Sequence, residues 1–327
     1  MTVAQAVVEY LSKQYTVDSI GGQDFRERLI PGTFGIFGHG NVAGVGQALK
    51  QYQQLDPTIM PYYQGRNEQA QAHQAVGYAR HTRRRQTFAI STSIGPGSSN
   101  LLTGAALATT NRLPVLLLPS DTFATRAADP VLQQLERPEA YDITVNDAFR
   151  PLSKFFDRVS RPEQLFSAFH HGLRVLIDPA ETGAVTISLP QDVQAEALDV
   201  PEEFLAEREW RIRRPDADDE DIRRAAEVAM SLRPNLIALT GDYVWRGAAN
   251  VETCARALSI LRAPYGVYGV LGNHDYWSGD IARVTRSIAG IGVTMLVNDS
   301  ARLEVGGTVW WLCGVDDVWS GKPDVEK

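Results

Sequence analysis

"LPVLLLPSD", Leu113–Asp121, decides the fold. A strand with one wet face alternates apolar and polar residues. This run does not, so it reads as a strand buried on both faces of a parallel sheet. Just upstream, "GPGSSNLLTGAALATT", Gly95–Thr110, is a Gly-rich turn opening a helix, and "QTFAISTS", Gln86–Ser93, is a strand. "NEQAQAHQAVGYARHT", Asn67–Thr82, is a helix rich in Ala and Gln. "TIMPYY", Thr58–Tyr63, is a strand weakened by Pro61, and "VAGVGQALKQY", Val42–Tyr52, is a helix. "GTFGIFG", Gly32–Gly38, is a short buried strand, preceded by a polar loop and an amphipathic helix over 3–13. Downstream come a helix near 161–177 and the strand "GAVTISLP", Gly183–Pro190. Strand and helix alternate throughout, which predicts a three-layer parallel α/β domain over 1–190.

Residues 191–217 change character. They carry dense mixed charge and read as a solvated linker, with a helix beginning at "DADDEDIRR", Asp216–Arg224. A second α/β rhythm then fills 218–327: helix 218–232, strand "NLIALTG", helix 248–262, strand "YGVYGVL" and a helix near 277–289. The short strands "VTMLVND", "ARLEV" and "VWWLCG" follow, the last expected to bury Trp310 or Trp311. The 327 residues suit two domains. A net charge of −7 argues against nucleic acid and anionic membrane as partners. No run is long enough to span a membrane. Cys254 and Cys313 fit no zinc or redox spacing, which points to a reducing cytoplasm.

Two constellations bear chemistry. In the first, Glu68 opens a helix just after a strand. A carboxylate there is stabilised by the helix macrodipole and needs no function. The Gly-rich turn adds Gly95 and Gly97, which allow close backbone approach, with Pro96 stiffening the turn. The helix N-terminus behind it offers free N–H groups. "FGIFGHGNVAGVGQAL", "YQGRNEQAQAHQAVGYAR", "STSIGPGSSNLLTGAALATTNRLPVLLLPSDTFATR", "DPVLQQLE" and "NDAFRPLSKFFDRVSRPEQL" together carry a resemblance over roughly 1–215. This part resembles the pyrimidine-binding domain of thiamine-diphosphate-dependent enzymes of the acetolactate synthase type. Within that group it is most similar to the trihydroxycyclohexanedione hydrolases of myo-inositol catabolism. The resemblance implies that Glu68 hydrogen-bonds the aminopyrimidine ring and favours the tautomer that can take the thiazolium C2 proton. It implies that Gly95, Gly97 and Asn100 shape the pyrimidine side of the pocket. His39, in the turn "GHG", would lie near thiazolium and substrate, or be an ordinary surface-turn histidine. The family's Gly-Asp-Gly signature for Mg²⁺ and diphosphate does not occur in this sequence. The expectation is therefore half a cofactor site, completed by a homo-oligomer or by a partner subunit carrying a diphosphate-binding domain.

In the second constellation, "NLIALTGDYV" sets Asp242 after one apolar strand, and "YGVYGVLGNHDYW" sets Asn273, His274 and Asp275 after the next. Parallel neighbouring strands would bring them to one crevice. Asp and Asn are also ordinary caps and turn formers. The pair of motifs resembles calcineurin-like metallophosphoesterases from about Asp218 onward. That implies Asp242 and Asn273 as ligands of Mn²⁺ or Mg²⁺, His274 facing a scissile phosphate, and Asp275 orienting the imidazole. The family's Asp-x-His motif is absent, and no histidine follows His274. The expectation is a truncated α/β metallophosphoesterase sandwich fragment with an incomplete metal site. The whole chain then reads as a fusion, with its seam between about 213 and 233. It is expected to be inactive alone in ring-opening hydrolysis. The alternatives are an irregular phosphoesterase and a non-catalytic, mis-joined product. "HTRRR", His81–Arg85, reads as the cationic end of the Glu68 helix, and Tyr243, Trp245, Tyr276 and Trp277 as packing or cleft-lining aromatics.

Overall fold

The computed structural model describes residues 1–20, 23–126, 132–133, 139–140, 142–213, 219–245 and 247–326. Part of "DPVLQQLE" and the expected helix start at Asp216–Asp218 lie outside the described residues. The chain forms two compact units, Met1–Asp18 with Asp24–Arg214, and Ser19–Gln23 with Pro215–Lys327. Among the described residues no helix is long and apolar enough to cross a membrane.

The first unit is built on a six-stranded parallel sheet. From edge to edge its strands are Tyr62–Gln64, Thr33–Ile36, Ala89–Thr92, Val115–Asp121, Ala184–Pro190 and Phe155–Arg158. Every residue of Val115–Asp121 is buried, as the continuous apolar run predicts. Leu116 and Leu118 join one core cluster with Leu49, Phe169 and Leu173. Val115 and Leu117 join a second with Ala72, Ala75, Ala105 and Ala108. Successive side chains of one strand thus feed opposite faces, and helices cover both. Small residues let the helices Glu68–His81 and Leu102–Thr110 touch: a Cβ on Gly104 would lie 2.3 Å from that of Ala72.

Two expectations are corrected in this unit, and one strand is added. The polar loop after the first helix is instead the strands Gln14–Ile20 and Gln23–Arg28. The strand Phe155–Arg158 escaped sequence reading because it is four residues long and nowhere fully buried. The expected linker is largely structured. Arg208–Arg211 pairs in parallel with Gln14–Val17. Trp210 is 8% exposed, and its Nε1 donates to Gln14 Oε1 at 2.9 Å. Charged residues flank that one inward side chain, so composition alone reads as solvated.

In the second unit, Ile237–Leu239, Val267–Gly269 and Thr294–Met295 form a parallel three-stranded sheet in that order. The helices Asp219–Ser231, Val251–Leu258 and Ile281–Ala289 pack their apolar faces into its core. Asp299–Val305 and Thr308–Gly314 make an antiparallel hairpin. Trp310 and Trp311 are 60% and 63% exposed, contrary to the expected buried strand. Among the described residues the hairpin pairs only with itself, so no further strand extends either of its edges.

Candidate functional site

In the six-stranded sheet the chain passes from Thr33–Ile36 to the edge strand Tyr62–Gln64. It then crosses back to Ala89–Thr92 on the other side of its start. This reversal opens a crevice at the carboxyl ends of the strands, where open α/β sheets bind ligands. The turn 38–41 follows the first of these strands, Glu68 follows the second, and the turn 95–97 follows the third. The topology therefore brings His39, Glu68, Gly95, Gly97 and Asn100 to one edge of the sheet.

Glu68 is the first residue of its helix, capped by Asn67, whose side chain accepts the Ala70 N–H. The macrodipole argument therefore holds locally. It does not explain the contact beyond the helix: Asn100 Nδ2 donates to Glu68 Oε2 at 2.8 Å. One carboxylate oxygen is thereby fixed, and the other lies beside Gly97. A Cβ on Gly97 would fall 3.2 Å from Glu68 Oε1 and 2.2 Å from Ser93 Oγ. Gly95 has φ +64°, and a Cβ there would fall 1.9 Å from the Gln133 carbonyl oxygen. Both glycines are required by the turn itself. Asn100 was expected to line the pocket; its contact in the structure is with Glu68.

His39 is stitched into the neighbouring turn by its backbone. Its N–H donates to Gln133 Oε1 at 3.2 Å, and its carbonyl accepts the Ile94 N–H at 3.0 Å. Its imidazole Nε2 is buried without a hydrogen-bond partner among the described residues. A buried polar atom in that condition is costly unless a ligand or water meets it. The half-held carboxylate and the side-chain-free turn fit the aminopyrimidine end of thiamine diphosphate, and the orphaned nitrogen leaves a polar group free beside them. Ser93 and Gln133 belong to the same surroundings, and no local pattern in the sequence marks them.

At the second constellation the two strands are parallel neighbours, with Ile237 opposite Val267. Their loops touch: a Cβ on Gly241, at φ +90°, would lie 2.4 Å from Gly272 N. Asp242, at φ +58°, accepts the His274 N–H at 3.1 Å through Oδ1. Asp275 is fully buried and does not reach the imidazole, correcting its expected role. Its Oδ2 accepts the N–H groups of Asp242 at 2.8 Å and Gly272 at 3.0 Å, and its Oδ1 that of Val244 at 3.2 Å. Burial pushes this carboxyl above the usual range, with the same N–H groups pulling it back.

His274 points elsewhere. Its Nδ1 lies 3.1 Å from the Trp245 carbonyl, which can only accept, so Nδ1 carries the proton. The ring stacks on Trp245 at 3.9 Å and meets Trp277 edge-on at 4.6 Å. Asn273 opens the five-residue helix Asn273–Trp277. Among the described residues no three His, Cys, Asp or Glu side chains are grouped to hold a metal ion. Asp242, Asn273 and His274 thus do not fit a two-metal centre. The side chains nearest them are bound into turn and aromatic packing.

Residues 33–140 match the family model described as thiamine pyrophosphate enzyme, N-terminal TPP binding domain. Residues 214–321 match that of calcineurin-like phosphoesterase. The chain is similar to proteins named 3D-(3,5/4)-trihydroxycyclohexane-1,2-dione hydrolase. The one from Geobacillus thermodenitrificans (strain NG80-2) is 50% identical over 250 residues, covering 76% of this chain and 38% of the relative. That from Clostridium tetani (strain Massachusetts / E88) is 44% identical over 294 residues, covering 90% and 43%. That from Clostridium perfringens (strain 13 / Type A) is 49% identical over 297 residues, covering 90% and 44%. The chain therefore spans about two-fifths of the length of these relatives. Alignments covering 90% of the chain run well past residue 214, so they overlap the phosphoesterase match.

Proposed function

We propose that the first unit holds the aminopyrimidine end of thiamine diphosphate, in an enzyme that hydrolyses a ring carbon–carbon bond of a trihydroxycyclohexane-dione. The observation that carries this is the Glu68–Asn100 contact at 2.8 Å beside a glycine turn too tight for a side chain. When bound, the cofactor supplies a nucleophilic carbon and an electron sink. Glu68 shares a proton with a ring nitrogen, which a glutamine could not do. Asn100 keeps the Glu68 carboxylate turned toward the crevice. Gly97 lets the turn lie close against Ser93 and the Glu68 carboxylate. His39 holds a proton at Nε2 toward the substrate. We assign the diphosphate and its Mg²⁺ to a region outside this sequence or to a partner subunit. The similarity to relatives more than twice as long supports that assignment. The domain division proposed is a cofactor-binding unit up to about residue 213, followed by a phosphoesterase-like unit to which we assign no metal chemistry. The two free cysteines support a reducing, cytoplasmic setting.

The test is titration calorimetry of thiamine diphosphate with Mg²⁺ into the chain, alone and mixed with a subunit carrying a diphosphate-binding domain. Binding should be tight only in the mixture and at least tenfold weaker with Glu68→Ala. Equal affinity of wild type and Glu68→Ala would overturn the reading.

A further inference from the structure

The glycine turn beside Glu68 is tied to the far side of the sheet by one buried amide. Asn146 is the second residue of the 3-10 helix Val145–Leu152 and is fully buried. Its Oδ1 accepts a short hydrogen bond from Ser98 Oγ. Its Nδ2 donates to the Ser120 carbonyl at 2.8 Å and to Ser188 Oγ at 2.8 Å. Ser120 and Ser188 lie near the carboxyl ends of the adjacent strands Val115–Asp121 and Ala184–Pro190. Ser188 Oγ in turn donates to Asp121 Oδ2 at 2.5 Å, and Arg158 Nε donates to the same oxygen at 2.7 Å. Arg158 also holds Asp147 at 2.8 Å, next in sequence to Asn146.

We infer that Asn146 is a positioning residue for the turn 95–99, acting through Ser98. All of its side-chain hydrogen-bonding groups are engaged, and only one of its partners, Ser98, belongs to the turn. Ser98 directly follows Gly97, whose backbone lies against Glu68 Oε1 and Ser93 Oγ. A planar, fully bonded amide cannot rotate without breaking a buried hydrogen bond, so it fixes where Ser98, and with it Gly97, sits. The network behind it sets the amide from strands that belong to the core. The consequence for cofactor binding rests on the function proposed above; the positioning itself does not.

The test compares Ser98→Ala and Asn146→Ala with Ser188→Ala in the full chain. Ser98→Ala cuts the link and leaves the amide's other bonds. Ser188→Ala removes two buried hydrogen bonds but spares the link. The first readout is amide hydrogen exchange at Ser99, Asn100 and Leu101, whose N–H groups bond within the turn to Gly95, Pro96 and Ser98. Exchange there should accelerate about three- to tenfold relative to the Leu116 and Leu117 amides in Ser98→Ala and Asn146→Ala, the worth of one hydrogen bond, and not in Ser188→Ala. The second readout is the thiamine diphosphate dissociation constant in the mixture described above, which should weaken by a similar factor in the same two variants only. Uniform acceleration across the unit in all three variants would make Asn146 a merely structural residue and overturn the inference. If wild type binds no thiamine diphosphate, the functional proposal fails, while the exchange pattern still decides the role of Asn146.

Discussion

Asp275 offers the sharpest test of the second unit. Its carboxylate accepts three backbone N–H groups, from Asp242, Gly272 and Val244, and so ties the two loops together. Asp275→Ala leaves all three donors without that partner. An unpaired buried donor costs about 1–3 kcal/mol. The Val244 contact is buried, whereas those of Asp242 and Gly272 are part-buried. The expected total is therefore about 3–5 kcal/mol, close to the cost of emptying one side of a buried charged contact. Asp275→Asn keeps one acceptor oxygen and should lose roughly half as much. Tryptophan fluorescence is a natural probe, because five of the six tryptophans (Trp245, Trp277, Trp310, Trp311 and Trp319) follow residue 215. With a urea m-value of about 1–2 kcal/mol/M for a unit of this size, the midpoint should fall by roughly 2–4 M in Asp275→Ala. The pH dependence follows from the sign of the shift. Burial raises the folded pKa of Asp275 above its unfolded value. Between the two values the folded state binds more protons, so stability falls as pH rises. The contribution is fully present below the unfolded pKa and is lost as pH rises through the folded one. Asp275→Asn should remove that slope. A midpoint shift below about 0.5 M in Asp275→Ala would refute the loop-tying role.

Gly97→Ala should destabilise the first unit by about 1–3 kcal/mol through overpacking against Ser93 and Glu68, seen as a lower melting temperature; an unchanged Tm would mean the turn is looser than its geometry. Trp210→Ala should cost about 3–5 kcal/mol, because the side chain is core despite its charged neighbours, and a value under 1 kcal/mol would return this segment to a linker. Asp192 should show the opposite pH behaviour to Asp275. Burial works to raise its pKa, but the N–H groups of Thr125 and Ala124 outweigh it and hold the value below the usual range. Its contribution to stability is present above the unfolded pKa and is lost as pH falls through the folded one; an acid titration of Asp192→Asn should lack that loss.

What the sequence made legible follows from periodicity. The run Val115–Leu118 feeds two core clusters because successive side chains point to opposite faces, and only a strand with two buried faces needs such a run. Glu68 and the glycine turn were legible because their residue types are demanded locally, by a helix start and by a positive φ at Gly95. Trp210, Phe155–Arg158 and the hairpin tryptophans were not. Their environment is set by partners distant in sequence, such as Gln14 for Trp210, and a short strand offers too few residues to show a period. Asn146 was hidden for the same reason. Its partners Ser98, Ser120 and Ser188 are 48, 26 and 42 residues away, and nothing in "NDAFRPL" announces them.

The two constellations differ in what the fold does with matching residues. Around Glu68 the topology leaves polar capacity unspent. One carboxylate oxygen is held while the other stands beside a turn with no room for a side chain, and the His39 Nε2 is buried with no partner among the described residues. In the second unit the buried carboxylate, Asp275, is used within the loops. Asp242 Oδ1 takes the His274 N–H, Asp275 takes three N–H groups, and the His274 ring lies against two tryptophans. A ligand site needs groups that gain partners when the ligand arrives, because binding energy comes from that difference. By this measure the buried, unpartnered His39 Nε2 sets the carboxyl end of the six-stranded sheet apart from the second unit, whose buried Asp275 is fully engaged.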